Sequence, residues 1–216
     1  MMVIRSRVRF LILGLALVFA ALAFAFDYKP PDLPPAGHAD KYLLHETHKD
    51  EEVSIALDPY GAEKDSIFHV KFREHHILPV RLIVSNDTGQ PISLASAVIE
   101  YTTAKKQKVE PLSKADLERI LGSASEPRDN DSTRLPLPLP LPRHKSQRLP
   151  KGTDEEIDYL QFKAEAVEPH NTQAGFIFFN VSGVPQPLAG THVLFTGIRN
   201  ADGQELFYFD IPLSKD

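Results

Sequence analysis

Alternating apolar and polar positions predict a chain made mainly of short strands. In residues 78–86, Val80, Leu82 and Val84 stand at every second position, which brings their side chains to one face of a strand. The turn-forming residues 87–90 follow directly, and a second short apolar run comes after them. This stretch therefore predicts a β-hairpin around which the rest of the chain is organised.

Similar short runs, each bounded by turn residues, recur along the chain. Residues 175–181 are apolar on both faces, which is typical of a central strand covered on both sides. The Asp202-Gly203 pair predicts a tight hairpin between the last two runs. The remaining predicted strands cover residues 53–57, 97–103, 161–168, 191–198 and 205–213. Seven or eight such strands predict an immunoglobulin-like antiparallel β-sandwich or a related Greek key.

Two or three short helices are expected beside these strands. Ser113 and Asp116 have the spacing of a capping box and predict a helix over residues 114–121. Thr153 and Glu156 repeat that spacing and predict a second helix with Ile157 and Leu160 on its apolar face. Residues 62–70 fit a short helix, which we favour, or the approach to a strand.

The N-terminus has the three parts of an export signal. Arginines at positions 5, 7 and 9 precede an apolar run, and the small-residue pattern Ala23-Phe24-Ala25 follows it. We therefore expect a signal peptide over residues 1–25 and a periplasmic or secreted product. The alternative is an uncleaved apolar helix that anchors the protein in the inner membrane and faces outside. Its apolar run, residues 10–26, has 17 residues, at the lower edge of the roughly 17 to 25 that span a bilayer.

Two proline-rich segments suggest how the rest of the chain is divided. Residues 26–52 contain four prolines near their start and are expected to be an extended tether. Residues 53–216 then form the immunoglobulin-like domain. Residues 123–152 interrupt this domain with a Leu-Pro alternation, and prolines at every second position forbid a helix and cannot join a sheet ladder. We interpret this stretch as an extended, proline-rich insertion.

Charge and composition narrow the choice of partners. Cleavage after Ala25 would remove three arginines and change the net charge from −5 to about −8. Such an acidic chain is not expected to bind nucleic acid, and it would touch a membrane only through an uncleaved N-terminal segment. It has no cysteine, which excludes both a disulfide framework and a lipid anchor on cysteine.

The spacing of several structural residues is similar to a known domain family. The pattern Leu78-Pro79-Val80-x-Leu82-x-Val84-x-Asn86, with Pro169 and the later Gly175-x-x-x-Phe179, resembles telokin-like immunoglobulin domains of exported bacterial proteins of unknown function. The resemblance covers residues 53–213 apart from the insertion. It implies the fold and assigns no catalytic residue.

No motif in the sequence indicates catalysis or a cofactor. There is no Gly-x-Ser-x-Gly elbow, glycine-rich phosphate loop or His-Glu-x-x-His sequence, so an enzyme is not expected. An alternative function is metal binding outside the cytoplasm by His45, His48 and one of His75 or His76. His45 and His48 would share a face only on a helix, and His75 and His76 point to opposite sides of a strand. We therefore expect surface histidines and no metal site. A hydrolase with an unrecognised site is a third possibility.

Aromatic residues are concentrated in the last three predicted strands. The residues expected in the core are Phe176, Phe178, Phe179, Phe195, Phe207, Tyr208 and Phe209. Leu82 and Val84 should form the core together with Phe176 and Phe178, and the last strand should contribute Phe207 or Phe209.

The proline-rich insertion carries the candidate partner-binding residues, because it is a basic segment in an acidic protein. These residues are Arg134, Leu135, Leu137, Leu139, Leu141 and Arg143. A proline-rich run suits docking in an aromatic groove, although a spacer or a strap along a sheet edge fits the pattern too. The sequence thus predicts a non-catalytic exported module that contacts another, unidentified envelope protein.

Overall fold

A computed structural model describes residues 28–61, 64–123, 149 and 151–214. Within these residues the chain is mainly β, with two α-helices and three short 3-10 helices. The strands are β1 (Leu44–His48), β2 (Val53–Pro59), β3 (Ile77–Asn86), β4 (Ile92–Ser93), β5 (Val98–Thr102), β6 (Lys108–Val109), β7 (Ala166–Val167), β8 (Asn171–Asn180), β9 (His192–Thr196) and β10 (Phe209–Pro212). The helices are α1 (Lys114–Ser123) and α2 (Thr153–Leu160), and the 3-10 helices are Ala39–Lys41, Asp65–Ile67 and Phe72–His75.

Two four-stranded antiparallel sheets form the body of the fold. Sheet 1 has the order β1-β2-β3-β8, and sheet 2 has the order β10-β9-β5-β6. A two-stranded pair, β4 with β7, lies beside them. β3 lies between β2 and β8 in sheet 1. It pairs with β2 in a register that sets Val53 opposite Asn86, and with β8 along all ten of its residues. The arrangement is sandwich-like, since both sheets contribute to one core.

That core lies between the sheets. Alternate residues of β3, such as Leu82 and Val84, pack there with Phe179 of β8 and with Tyr101 and Phe209 of sheet 2. Tyr101 stacks on Phe179 with ring centroids 5.1 Å apart, and its hydroxyl donates a hydrogen bond of 2.8 Å to the Pro187 carbonyl. A buried aromatic ring thus contributes apolar area while its polar atom is satisfied.

The opposite face of sheet 1 is covered by the helices. Phe176 and Phe178 of β8 point to this side and pack with Leu117 of α1, Ile157 of α2 and Phe72 of a 3-10 helix. Because sheet 1 is covered on both faces, β3 is buried along its whole length and β8 is buried from Phe176 to Phe179, whereas β9 and β10 of sheet 2 alternate between buried and less buried residues.

The prediction of a mainly β, antiparallel chain with two short helices is confirmed. The Ser113 hydroxyl accepts from the Asp116 amide at 3.2 Å, so the first capping box is confirmed as well. Leu82, Val84 and Phe178 are buried in the core as predicted. Of the two candidates in the last strand it is Phe209 that is buried, so the placement of Phe207 in the core was wrong.

Several local expectations differ from the structure. β3 and β4 do not form a hairpin, because β4 pairs with β7 in a separate sheet. The segment expected to be an extended tether contains β1, which pairs with β2 from Leu44 opposite Leu57. β8 is covered on both faces but lies at the end of sheet 1, so its position is not central.

The second capping box does not form. Gly152 is the N-cap residue of α2 and provides no side-chain hydrogen bond, while Glu156 points away from the helix end. In residues 64–70 the helix is one 3-10 turn, Asp65–Ile67, after which the chain passes through Phe68 and Val70 into the core. The expected export segment and most of the insertion lie outside the described residues. No described helix is both long enough and apolar enough to cross a membrane.

Candidate functional site

The candidate residues in the insertion, Arg134 to Arg143, lie outside the described part of the chain. The histidines proposed as metal ligands are described, and the structure does not bring them together. His45 and His48 stand three apart on strand β1 and so belong to opposite faces. His75 ends a 3-10 helix and His76 follows it in a left-handed conformation, with φ 56°. Among the described residues, no three His, Asp or Glu side chains are arranged to hold a metal ion.

Two large aromatic side chains directly before β10 are exposed. Phe207 is 75% exposed and Tyr208 is 59% exposed, although both were expected in the core. The next residue, Phe209, is fully buried. We call Phe207 and Tyr208 the aromatic ledge. A large exposed apolar pair beside a well-packed strand is a feature of interaction surfaces.

A charged cluster holds the ledge against sheet 1. His48 lies between two carboxylates, with its Nδ1 atom 2.9 Å from Glu51 Oε2 and its Nε2 atom 3.1 Å from Glu46 Oε1. The imidazole ring also stacks on Phe209, with ring centroids 3.9 Å apart and planes 10° from parallel. Each ring nitrogen of His48 therefore lies within hydrogen-bond distance of a carboxylate oxygen. We call Glu46, His48 and Glu51 the histidine clamp.

The second oxygen of each clamp carboxylate accepts a backbone hydrogen bond from the last strand region. The Phe207 amide donates to Glu51 Oε1 at 2.9 Å, and the Asp210 amide donates to Glu46 Oε2 at 2.7 Å. These bonds join the β1–β2 hairpin of sheet 1 to the outer edge of sheet 2. They also protect edge amides that would otherwise be free to pair with another strand. The ledge is therefore attached at a defined position and does not belong to a loose loop.

The ledge and the clamp line one shallow depression of about 450 Å³. Its remaining lining residues are Lys49 and Asp50 from the turn between β1 and β2. A second depression of about 380 Å³ shares Asp50 and Glu51 and continues along the β9–β10 turn. The surface therefore combines exposed aromatic rings with carboxylates, which suits a partner that has both apolar and cationic groups.

A different cleft lies on the helix side of sheet 1. It has a volume of about 360 Å³ and is built around Glu156 of α2, whose side chain is fully buried. Glu156 Oε1 accepts from the amides of His69 at 2.9 Å and Val70 at 3.4 Å, and Oε2 lies 3.1 Å from His69 Nδ1. These contacts give both oxygens of the buried carboxylate a partner, which explains how Glu156 can be buried. They also attach the chain before the Phe72–His75 turn to α2.

Tyr28 lies beside the same cleft. Its hydroxyl oxygen is buried and has no hydrogen-bond partner, and its ring lies edge-on to His69 at 6.3 Å between centroids. Burial, followed by the charge of the nearby Glu156, raises the pKa of Tyr28 above its usual value, so this hydroxyl stays neutral. The polar contacts at this cleft thus join α2 to residues 69 and 70, and Tyr28 of the N-terminal segment lies against His69.

Comparisons with known proteins found no match to any protein-family model, curated protein or solved structure. The surface of the chain itself is therefore the basis for its function. The exposure of the ledge was not predicted, because Phe207 and Tyr208 stand in an apolar run with Phe209. Alternation along a strand was a usable signal for Tyr208 alone, because it would lie opposite both phenylalanines. The exposure of Phe207 follows from the start of β10 at Phe209, which the sequence pattern did not indicate.

Proposed function

We propose that the protein is a non-catalytic, exported module of the cell envelope that acts by binding another envelope protein. The observation that carries this proposal is the aromatic ledge, where Phe207 and Tyr208 are exposed and fixed beside a covered strand edge. Interface hot spots are enriched in large aromatic residues, because these bury much apolar area at a small cost in side-chain entropy. Neither ring has a role in the core, so a contact surface explains their exposure.

We further propose that the fold is immunoglobulin-like. The order in which the chain visits the sheets supports this assignment. β2 and β3 lie in sheet 1, β5 and β6 in sheet 2, β8 in sheet 1 again, and β9 and β10 in sheet 2. Alternation of this kind between two sheets is characteristic of Greek-key sandwiches, many of which are binding domains outside the cytoplasm. The arginine-flanked apolar run and its Ala-x-Ala pattern support export.

Site-specific photocrosslinking in the producing cells tests the function. A photoreactive amino acid at position 207 should yield a discrete crosslinked product in the envelope fraction. The matched control is position 159, because Tyr159 is an aromatic residue with 51% exposure on the helix side. Equal yields at both positions, or no discrete product at 207, would contradict the proposal.

The mass of the intact protein tests export in the same cells. A chain that begins at Phe26 would indicate cleavage after Ala25, and a full-length chain in the membrane fraction would indicate the anchored form. Recovery of the full-length chain in the cytosol would contradict both forms.

A further inference from the structure

The turns beside the aromatic ledge carry exposed carboxylates. Asp50 and Glu52 lie in the turn between β1 and β2, and Asp202 lies in the turn between β9 and β10. None of the three pairs with a cation among the residues that the structure describes. We call them the unpaired carboxylates. They differ from the two carboxylates of the histidine clamp, whose oxygens already have partners.

The ledge and the unpaired carboxylates line two adjoining depressions. Both rings of the ledge and Asp50 line the first, of about 450 Å³, and Asp50, Glu52 and Asp202 line the second, of about 380 Å³. Asp50 and Glu51 are common to both, so the aromatic and acidic parts form one continuous surface. Lys49 is the one lysine or arginine among their lining residues. The surface therefore offers apolar contact at one end and unbalanced negative charge at the other.

Arginine is the side chain whose chemistry fits both ends of this surface. Its planar guanidinium group stacks on aromatic rings, and its fork of N–H donors pairs with carboxylates at two points. A lysine ammonium group is a compact, strongly hydrated charge, so it matches neither the flat ring nor the two-point pairing as well. Apolar side chains next to the arginine would cover the rest of the rings of Phe207 and Tyr208. A peptide segment with both kinds of side chain therefore suits the whole surface.

The histidine clamp fixes this surface in advance. Glu51 accepts from the Phe207 amide at 2.9 Å and Glu46 accepts from the Asp210 amide at 2.7 Å, so the backbone is held on both sides of Tyr208. A surface that is already ordered has less conformational entropy to lose when a partner binds. The clamp thus supports recognition by positioning the ledge.

We infer that the aromatic ledge and the unpaired carboxylates together bind an arginine-bearing, apolar segment of another protein. Apolar side chains of that segment pack on Phe207 and Tyr208, and its arginines stack on the rings and pair with Asp50, Glu52 and Asp202. The inference rests on the ledge being the contact surface of the proposed function, and it adds the chemistry of the partner.

Selection from a random peptide library tests this chemistry without a known partner. Random decapeptides displayed on phage are selected on the purified protein, and the same library is selected on Phe207→Ala. Sequences enriched on the parent alone should carry arginine, a net positive charge and apolar or aromatic residues. Enrichment of neutral or acidic sequences, or no enrichment beyond that on Phe207→Ala, would overturn the inference.

Affinities of the most enriched peptide, measured by fluorescence anisotropy, test the aromatic part. Phe207→Ala should weaken binding at least about tenfold, as is typical for truncation of a central aromatic contact. Tyr159→Ala is the matched control, because it removes an exposed ring on the helix side, and it should bind like the parent. A peptide with lysine in place of each arginine should bind several-fold more weakly. Equal affinity of the two peptides would contradict the assignment of arginine and overturn the inference.

Glu52 allows negative charge to be removed without a loss of stability. Its backbone has a left-handed φ of 52°, which asparagine adopts more readily than glutamate. Glu52→Asn combined with Asp202→Asn should therefore melt no lower than the parent but bind the peptide several-fold more weakly, with a smaller difference at high salt. Glu110→Gln is the control, because Glu110 is exposed beyond β6 at the opposite edge of sheet 2 from β10. Binding by the double variant that equals the parent at low salt would overturn the inference.

The crosslinking experiment at position 207 separates this inference from the proposed function. A product with a different protein, joined at a segment that carries arginine, supports both. A product joined at a segment without arginine overturns the inference and leaves the proposed function standing. A product of two copies of this chain, a crosslink within one molecule, or no discrete product overturns both.

Discussion

Gly175 of β8 lies so close to Phe162 that a Cβ atom at position 175 would stand 2.6 Å from the Phe162 Cα atom. This approach lets the chain before β7 cover the outer edge of sheet 1. The Phe162 amide donates to the Phe176 carbonyl at 2.9 Å, and the Leu112 amide donates to the Phe178 carbonyl at 2.7 Å. The end strand of sheet 1 is thereby protected from pairing with another chain.

Gly175→Ala should therefore destabilise the domain. The added methyl group would meet backbone atoms, which cannot move aside as a flexible side chain can, so we expect a loss of about 1–3 kcal/mol. Urea titration followed by circular dichroism measures it. Gly89→Ala is the control, because nothing lies within 4 Å of a Cβ atom at position 89. Equal midpoints for the two variants would show that the close approach is not present in solution.

Truncation of aromatic residues should distinguish the core from the ledge. Phe178 packs on Phe72 with ring centroids 5.0 Å apart and is almost completely buried. Phe178→Ala should cost about 3–5 kcal/mol, a large part of the stability of a domain of this size. Phe207→Ala should change the melting temperature by at most a degree or two, because its ring is exposed. Similar losses for the two variants would mean that the faces of these strands are assigned incorrectly.

Replacement of Glu156 should release the chain before the Phe72–His75 turn. Glu156→Ala leaves the amides of His69 and Val70 without an acceptor in a buried site, which should cost about 2–3 kcal/mol. Glu156→Gln keeps one acceptor oxygen and should cost less. Glu155→Ala, on the exposed side of α2, serves as the control. Hydrogen exchange of the His69 and Val70 amides should be faster in Glu156→Ala, and unchanged exchange would contradict the assigned role.

His38 should make stability depend on pH. Its ring nitrogens lie 2.7 Å from Asp40 Oδ1 and 3.0 Å from Asp87 Oδ1, which links the N-terminal segment to the loop after β3. Partial burial by itself lowers the pKa of His38, but the hydrogen bonds and charges of Asp40 and Asp87 outweigh burial and raise the pKa above its usual value of 6.5. The interaction of His38 with these two aspartates therefore contributes its full stabilisation below about pH 6.5. This contribution is lost as the pH rises through the raised pKa of His38.

Comparison of the parent with His38→Gln tests this pH dependence. The variant should be less stable by about 0.5–1 kcal/mol at pH 5.5, the range for a partly exposed ion pair, and close to the parent at pH 8.5. His170→Asn is the control, because His170 is exposed and has no carboxylate partner among the described residues. A difference between parent and His38→Gln that stays constant with pH would contradict the role of the ion pair.

Local sequence patterns were sufficient for features that depend on neighbouring residues. The period-two runs predicted β3, β5 and the β9–β10 hairpin, and the Asn200-Asp202-Gly203 turn forms with the Asn200 amide 2.9 Å from the Gln204 carbonyl. The capping box of Ser113 and Asp116 is equally local. In each case the same few residues carry both the signal and the hydrogen bonds, so no knowledge of distant contacts is needed.

Pairing between strands and the exposure of the ledge depended on distant parts of the chain. β4 pairs with β7, more than 70 residues later, because the Asn86 side chain donates to the Gln90 and Val167 carbonyls at 2.8 and 3.0 Å and so joins the two loops. The histidine clamp joins residues more than 150 positions apart, such as Glu51 and Phe207. Alternation along a strand states which side chains share a face, but only packing of the second sheet decides which face is buried. Phe209 is the first residue of β10 and lies opposite Phe195, so it enters the core, whereas Phe207 and Tyr208 precede the paired strand and remain at the surface.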